Sequence, residues 1–124
     1  MSTRSWSSLL RVCFVDYDRE MVLVADHEDP SSGTHEILGV ARLTKLRGTN
    51  DAEVAVLVTD RCQQRGLGTE LLRRLIQVAR DEKLDRIVAE ILLENLAMQT
   101  PAKRLGFRFV TSDDPAVVRA VLHL

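Results

Sequence analysis

Between residues 52 and 94 the hydrophobic pattern changes period twice, and no other feature restricts the fold as strongly. AEVAVLVTD (52–60) is dense in β-branched residues and reads as a strand. From Leu67 the spacing switches. Leu67, Leu71, Leu72, Leu75, Ile76 and Ala79 fall on one helical stripe, with Arg73, Arg74, Arg80, Glu82 and Lys83 on the other side. DRIVAEILLE (85–94) is strand-like again. Strand, helix and strand in that order lay the helix across one face of a sheet and make the two strands parallel, joined by a right-handed crossover.

The rest of the chain supplies antiparallel arms to this unit. EMVLVAD (20–26) and HEILGVARLTKL (35–46) read as strands, separated by the turn formers HEDPSSGTH and followed by RGTND. With residues 52–60 they form an antiparallel meander. Residues 5–19 mix apolar and polar types in a weakly helical way. Beyond residue 94 the pattern predicts a shorter helix over about 96–105. Two strands, FRFV and AVVRAVLHL, then pair around the turn SDDP. The expected fold is therefore a mixed α/β sheet, with an antiparallel N-terminal meander, a parallel central pair with its crossover helix, and a C-terminal antiparallel hairpin. At 124 residues this is a single domain, 1–124, with one core.

Charge narrows the partners. Seventeen basic and 18 acidic residues leave a net charge of −1, so nothing draws the whole chain to nucleic acid or to acidic membranes. Any basic site must be local. No apolar run approaches the roughly 18 residues of a membrane span. The opening MSTRSWSSLLRVCFVDYD is not expected to be a signal peptide, because Arg11 interrupts its apolar run. Cys13 and Cys62 form no disulfide framework, and neither they nor His27, His35 and His123 have metal-ligand spacing. The expectation is a reduced, cytoplasmic protein without a metal.

The turn that joins strand to helix, RCQQRGLGTELL (61–72), holds two of the chain's six glycines. The first amides of a helix lack intrahelical acceptors, and the helix dipole adds partial positive charge there. Gly66 and Gly68 remove the Cβ atoms that would keep an anion away from those amides. Thr69 offers a hydroxyl, and Arg61, Arg65 and Arg73 add charge. No Gly-Lys-Ser/Thr follows, so this is not a P-loop, and the third glycine of a dinucleotide fingerprint is missing. Spacing alone fits an anion cradle and a plain tight turn equally well.

The stretch VTDRCQQRGLGTELLRRLI resembles the acetyl-CoA-binding motif of the GNAT superfamily of N-acetyltransferases, whose core is Gln/Arg-x-x-Gly-x-Gly/Ala. Gln63, Gly66 and Gly68 stand in its three places. ENLAMQTPAKRLGF (94–107) resembles the same family's second motif, which opens on asparagine and closes on Gly-Phe. DYDREMVLVA and AEVAVLV are further similar to bacterial Pat-type protein-lysine acetyltransferases. The resemblance implies acetyl-CoA as co-substrate. Backbone groups of Val56, Leu57 and Val58 would bind the acetyl carbonyl and pantetheine arm. The amides of Gln64, Arg65, Gly66, Leu67, Gly68 and Thr69 would hold the pyrophosphate, and Asn95 would contact the pantetheine. It also implies that the two parallel strands splay apart, often at a bulge.

Acetyl transfer to an amine needs the neutral nucleophile, and a lysine of pKa 10.4 is only about 1 part in 2,500 neutral at pH 7, or roughly 4.6 kcal/mol. A carboxylate can take the proton, directly or through water. By resemblance Glu53 is the first candidate, since Pat-like sequences carry a glutamate in the same AE-x-A context. Glu90 is the second, at a position where related enzymes place their base, and it shares a strand face with Val88 and Leu92. Ala102 stands where the superfamily's general-acid tyrosine is usual. Pro101 disfavours helix at Thr100, which sets a start with Thr100 as N-cap beside the start near 96, and that alternative would move Asn95. The matching region begins near Val12, so most of the usual N-terminal strand and helices are missing. A second copy or a partner would supply the missing surface, and the exposed sheet edge favours such pairing. The implied function is N-acetyl transfer to a primary amine, a protein lysine or a small molecule. The alternative is a non-catalytic acyl-CoA-binding module.

Overall fold

The computed structural model describes residues 10–16, 19–28, 31–59 and 66–124. In chain order the elements are β1 (Leu10–Asp16), β2 (Glu20–Glu28), β3 (His35–Lys45), β4 (Asp51–Val58), α1 (Leu67–Asp81), β5 (Arg86–Leu92), α2 (Leu96–Arg104), β6 (Arg108–Thr111) and β7 (Val117–His123). The seven strands form one sheet in the order β1-β2-β3-β4-β5-β7-β6. β4 and β5 run parallel, and the other neighbours are antiparallel. This is the mixed α/β arrangement the sequence pattern requires. One segment differs: residues 10–16, expected to be weakly helical, are a strand in register with β2 from Leu10↔Ala25 to Asp16↔Glu20. Val12, Phe14 and Val15 favour strand, and pairing with β2 outweighs a weak local pattern. Among the described residues no helix is long and apolar enough to cross a membrane.

α1 crosses the face formed by β3 and β4, and its whole apolar stripe is buried. Each buried leucine contributes roughly 1.5–3 kcal/mol. Ala52 and Val54 of β4 and Ile87 of β5 point into the same core. Glu53, Ala55, Leu57 and Glu90 alternate to the opposite face and are exposed. Gly39 of β3 lies directly under α1: a Cβ there would stand 3.0 Å from Leu71 Cδ1 and 3.2 Å from both Leu67 Cδ2 and the Leu57 carbonyl oxygen. The helix start is therefore seated against a strand position with no room for a side chain.

The lower ends of β4 and β5 are clamped together. Asp51, 8% exposed, accepts from Arg86 at 2.6 Å through Nη2 and 3.2 Å through Nε. The hydrogen bond and charge of Asp51 raise the Arg86 pKa above its ordinary value. Asp85 N–H donates to Asn50 O at 2.8 Å, and Asn50 Nδ2 to Lys83 O at 2.8 Å, which closes the same end.

Candidate acyl-CoA site

The two parallel strands separate half-way along. β4 pairs with β5 only from Asp51↔Arg86 to Val54↔Ala89. Beyond that β4 stays on β3 as far as Gly39↔Val58, and β5 stays on β7 as far as Leu92↔Val117. A wedge opens between them. The β3–β4 register runs unbroken, so the splay needs no bulge in β4; the irregularity nearby lies between β2 and β3, at Ala25/Asp26.

Strand geometry says which backbone groups face the wedge. Thr59 N–H donates to Leu38 O at 2.9 Å, so Thr59 turns its polar groups toward β3. Two residues back Leu57 has the same orientation, and its carbonyl approaches Gly39 accordingly. Val56 and Val58 therefore turn theirs toward the wedge. Of the three residues assigned to the acyl arm, Leu57 commits its backbone to β3 and contributes its flank.

α1 begins at the wedge mouth. Its N-cap is Gly66, in the left-handed region at φ 90° and without a capping side chain. That backbone favours glycine, and a glycine cap leaves the first-turn amides of Leu67, Gly68 and Thr69 without a side-chain acceptor. Leu67 itself is fully buried, so its amide is what it offers here. Gln64 and Arg65, and Arg61 and Gln63 beside them, lie outside the described residues. Arg73 does not lend its charge to this end: it binds Glu70 at 2.6 Å, as Arg74 does at 2.9 Å.

The far wall is α2. Val56, Leu57, Val58, Gly66, Gly68, Thr69 and Asn95 line one cleft together with Ala97, Met98 and Pro101. Seven of the ten cofactor residues proposed from sequence thus share one cavity. The helix starts at Asn95, whose Oδ1 accepts from Met98 N–H at 3.2 Å. The alternative start at Thr100 does not occur. Thr100 Oγ1 instead donates back to Leu96 O at 3.3 Å within the helix, and Pro101 sits inside α2. The early cap fixes the helix before the proline is reached, and the lost Pro101 N–H bond is confined to the Ala97 carbonyl. Sequence reasoning missed Met98, Pro101 and Gln99. Gln99 Nε2 donates to Leu92 O and Leu93 O, at 3.2 and 2.8 Å, and ties α2 to the splayed end of β5. Their position in the second motif, just past Asn95, was the available signal.

The two candidate bases lie on the sheet face away from α1. Glu53 registers with Val88 across the last paired stretch and is exposed. Among the described residues its carboxylate has no ion-pair partner. Glu90 is also exposed, and Arg119 approaches it at 3.6 Å. The apolar setting expected for Glu90 is absent, because Leu92 on the same face is itself 50% exposed. Ala102 is buried and carries no proton to give.

The family profile for the acetyltransferase (GNAT) domain matches residues 5–108. The chain belongs to the GNAT family. An acetyltransferase of Pseudomonas aeruginosa is 33% identical over 110 residues, covering 88% of this chain and 56% of that protein. The GNAT domain of S. lividans PAT superposes with a TM-score of 0.75 at 28% identity, over 90% of this chain and 64% of that one. A Bacillus subtilis acetyltransferase in complex with CoA shares the GNAT fold, with a TM-score of 0.70 at 19% identity over 93% of this chain and 99% of that one. The chain thus spans little more than half of the Pseudomonas relative and under two thirds of the S. lividans domain.

Proposed function

We propose that this domain transfers the acetyl group of acetyl-CoA to a primary amine, with a protein lysine as the first acceptor to assay. One observation carries the reading: a wedge between parallel strands, with Val56 and Val58 backbone groups turned into it, opens beneath a helix that starts on a bare glycine. A thioester arm fits such a wedge, and the pyrophosphate fits the amides above it. The CoA complex of the Bacillus subtilis relative supports the choice of ligand.

In the transfer, the neutral amine attacks the thioester carbonyl carbon and forms the N–C bond. The resulting oxyanion collapses, the C–S bond breaks, and the thiolate of CoA leaves. Wedge-facing amide N–H groups of β4 stabilise the oxyanion. Glu53, directly or through water, takes the proton from the amine. We favour it over Glu90 because Arg119 already holds the latter. Solvent protonates the thiolate, since Ala102 cannot.

Ala102 favours a second reading: an acyl-CoA-binding module without catalysis. Two measurements separate these readings. Acetyl-CoA should raise the melting temperature in proportion to the logarithm of its concentration. Lysine peptides and small amines should then support CoA release, which Glu53→Gln lowers by about 10²–10⁴-fold without abolishing the thermal shift. No shift at millimolar acetyl-CoA sinks both readings. Equally slow release by wild type and Glu53→Gln leaves the binding module standing alone.

A further inference from the structure

Nothing in β4 itself accounts for the wedge. Its register with β3 is unbroken, so it carries no bulge that would force it off β5. A parallel pair still in register at Val54↔Ala89 has its next rungs laid out. They would run from the Val56 amide to the Glu90 carbonyl, from the Leu92 amide back to Val56, and from the Val58 amide to the Leu92 carbonyl. What keeps these rungs from forming lies outside β4.

Leu93 N–H donates to Ala116 O at 2.9 Å, so Leu93 turns toward β7 and its neighbour Leu92 turns toward β4. Yet the Leu92 carbonyl is taken by the start of α2. It accepts from Asn95 N–H at 2.9 Å and from Gln99 Nε2 at 3.2 Å, which occupies both of its lone pairs. Gln99 Nε2 also donates to Leu93 O at 2.8 Å. One side-chain amide thus directs both its hydrogens at successive carbonyls at the end of β5. Those two acceptors fix its orientation, because Oε1 in that place would have no donor to meet. The Asn95 contact closes a tight turn and travels with β5. Gln99 stands a full turn into α2, so its contacts tie β5 to the body of the helix. α2 in turn is seated on the core through Met98 and Ala102.

We propose that Gln99 is a positioning residue for the wedge: by engaging the Leu92 and Leu93 carbonyls it holds the end of β5 on α2 and keeps the β4–β5 ladder from closing. Under the acetyl-CoA reading, on which this rests for its ligand, the open wedge admits the acyl arm. Gln99 does not line the cleft and acts on affinity through β5.

Gln99→Leu removes both donors at similar volume, Gln99→Glu removes them isosterically with a charge the helix start favours, and Gln99→Lys restores a donor. Two measurements on the full chain read the wedge. In ligand-free protein, hydrogen exchange at the Val56 amide, followed by NMR, should slow about tenfold in Gln99→Leu and Gln99→Glu as the ladder closes over it. In Gln99→Lys it should return toward wild type. Isothermal titration should show acetyl-CoA affinity about five- to tenfold weaker in the first two variants and largely recovered in Gln99→Lys. A residue that merely stiffened α2 would act with the opposite sign, its loss speeding exchange at Val56 and throughout that end of the sheet. Faster or unchanged Val56 exchange in the donor-free variants therefore overturns the proposal, and so does acetyl-CoA binding at wild-type affinity by both. If wild type fails to bind acetyl-CoA while Val56 exchange slows in the variants, the acetyl-CoA reading falls and the hold of Gln99 on the wedge stands.

Discussion

Among the described residues the two helices start on the same cleft, and they start in opposite ways. α2 opens on Asn95, whose side chain accepts the Met98 amide within the helix. α1 opens on Gly66, with no side chain to accept anything. Helix N-termini carry orphan amides and partial positive charge, and most are satisfied locally by a Ser, Thr, Asp or Asn cap. α2 follows that rule and needs no ligand at its start. α1 departs from it at the mouth of the wedge. The chain caps one positive end with a side chain and leaves the other without one.

The largest effect should come from filling the open end. At Gly68 a Cβ would meet Met98 Sδ and Val58 Cγ2 at 3.7 Å, an ordinary contact, so the fold has room for one added carbon. Valine's two further carbons project into the cleft that Gly68 lines. Gly68→Val should therefore weaken acetyl-CoA binding on the order of a hundredfold, through loss of charge-assisted contacts to the amides. Its melting temperature without ligand should stay close to wild type, because glycine is the poorer helix former. Unchanged affinity in this variant would remove the amide cradle and with it the contrast between the two helix starts.

Next in size is the seat under α1. Gly39→Ala brings a Cβ to 3.0 Å from Leu71 Cδ1, which can shift, and to 3.2 Å from the Leu57 carbonyl, which is backbone and cannot easily move. The substitution should lower stability by roughly 1–3 kcal/mol in urea denaturation. Acetyl-CoA affinity should fall with it, because the displaced part of α1 bears the cradle. Wild-type stability would show that the helix start is not seated where the packing places it.

Much of this contrast was legible beforehand, and the failures have physical reasons. The glycine spacing at 66 and 68 located the open helix start because backbone freedom is a property of the residue itself. Likewise the Leu67–Ala79 stripe fixed α1, since its period survives in any context. Residues 10–16 were misread because their pattern is weak and strand pairing with β2 is long-range information. At Pro101 a local rule, disfavouring helix before proline, lost to an earlier cap at Asn95. The face shared by Glu90, Val88 and Leu92 was correctly inferred from alternation. That this face is uncovered depends on where the helices pack, and alternation carries no word of that.

The smallest effect, and the sharpest division of roles, lies at the closed end. Asn95 caps α2 through Oδ1, and the residue also lines the cleft, with Nδ2 as its remaining donor. Asn95→Ala removes both, and loss of the cap should cost about 1 kcal/mol of stability. Asn95→Asp keeps an oxygen for the Met98 amide and places a negative charge where the helix dipole favours it. It should therefore retain wild-type stability in thermal melts. What it loses is the donor, so acetyl-CoA affinity should fall about two- to tenfold if Nδ2 bonds the pantetheine arm. Full affinity together with full stability in Asn95→Asp would reduce Asn95 to a cap alone. The closed helix start would then be a structural neighbour of the site, and the open one its only anion-holding end among the described residues.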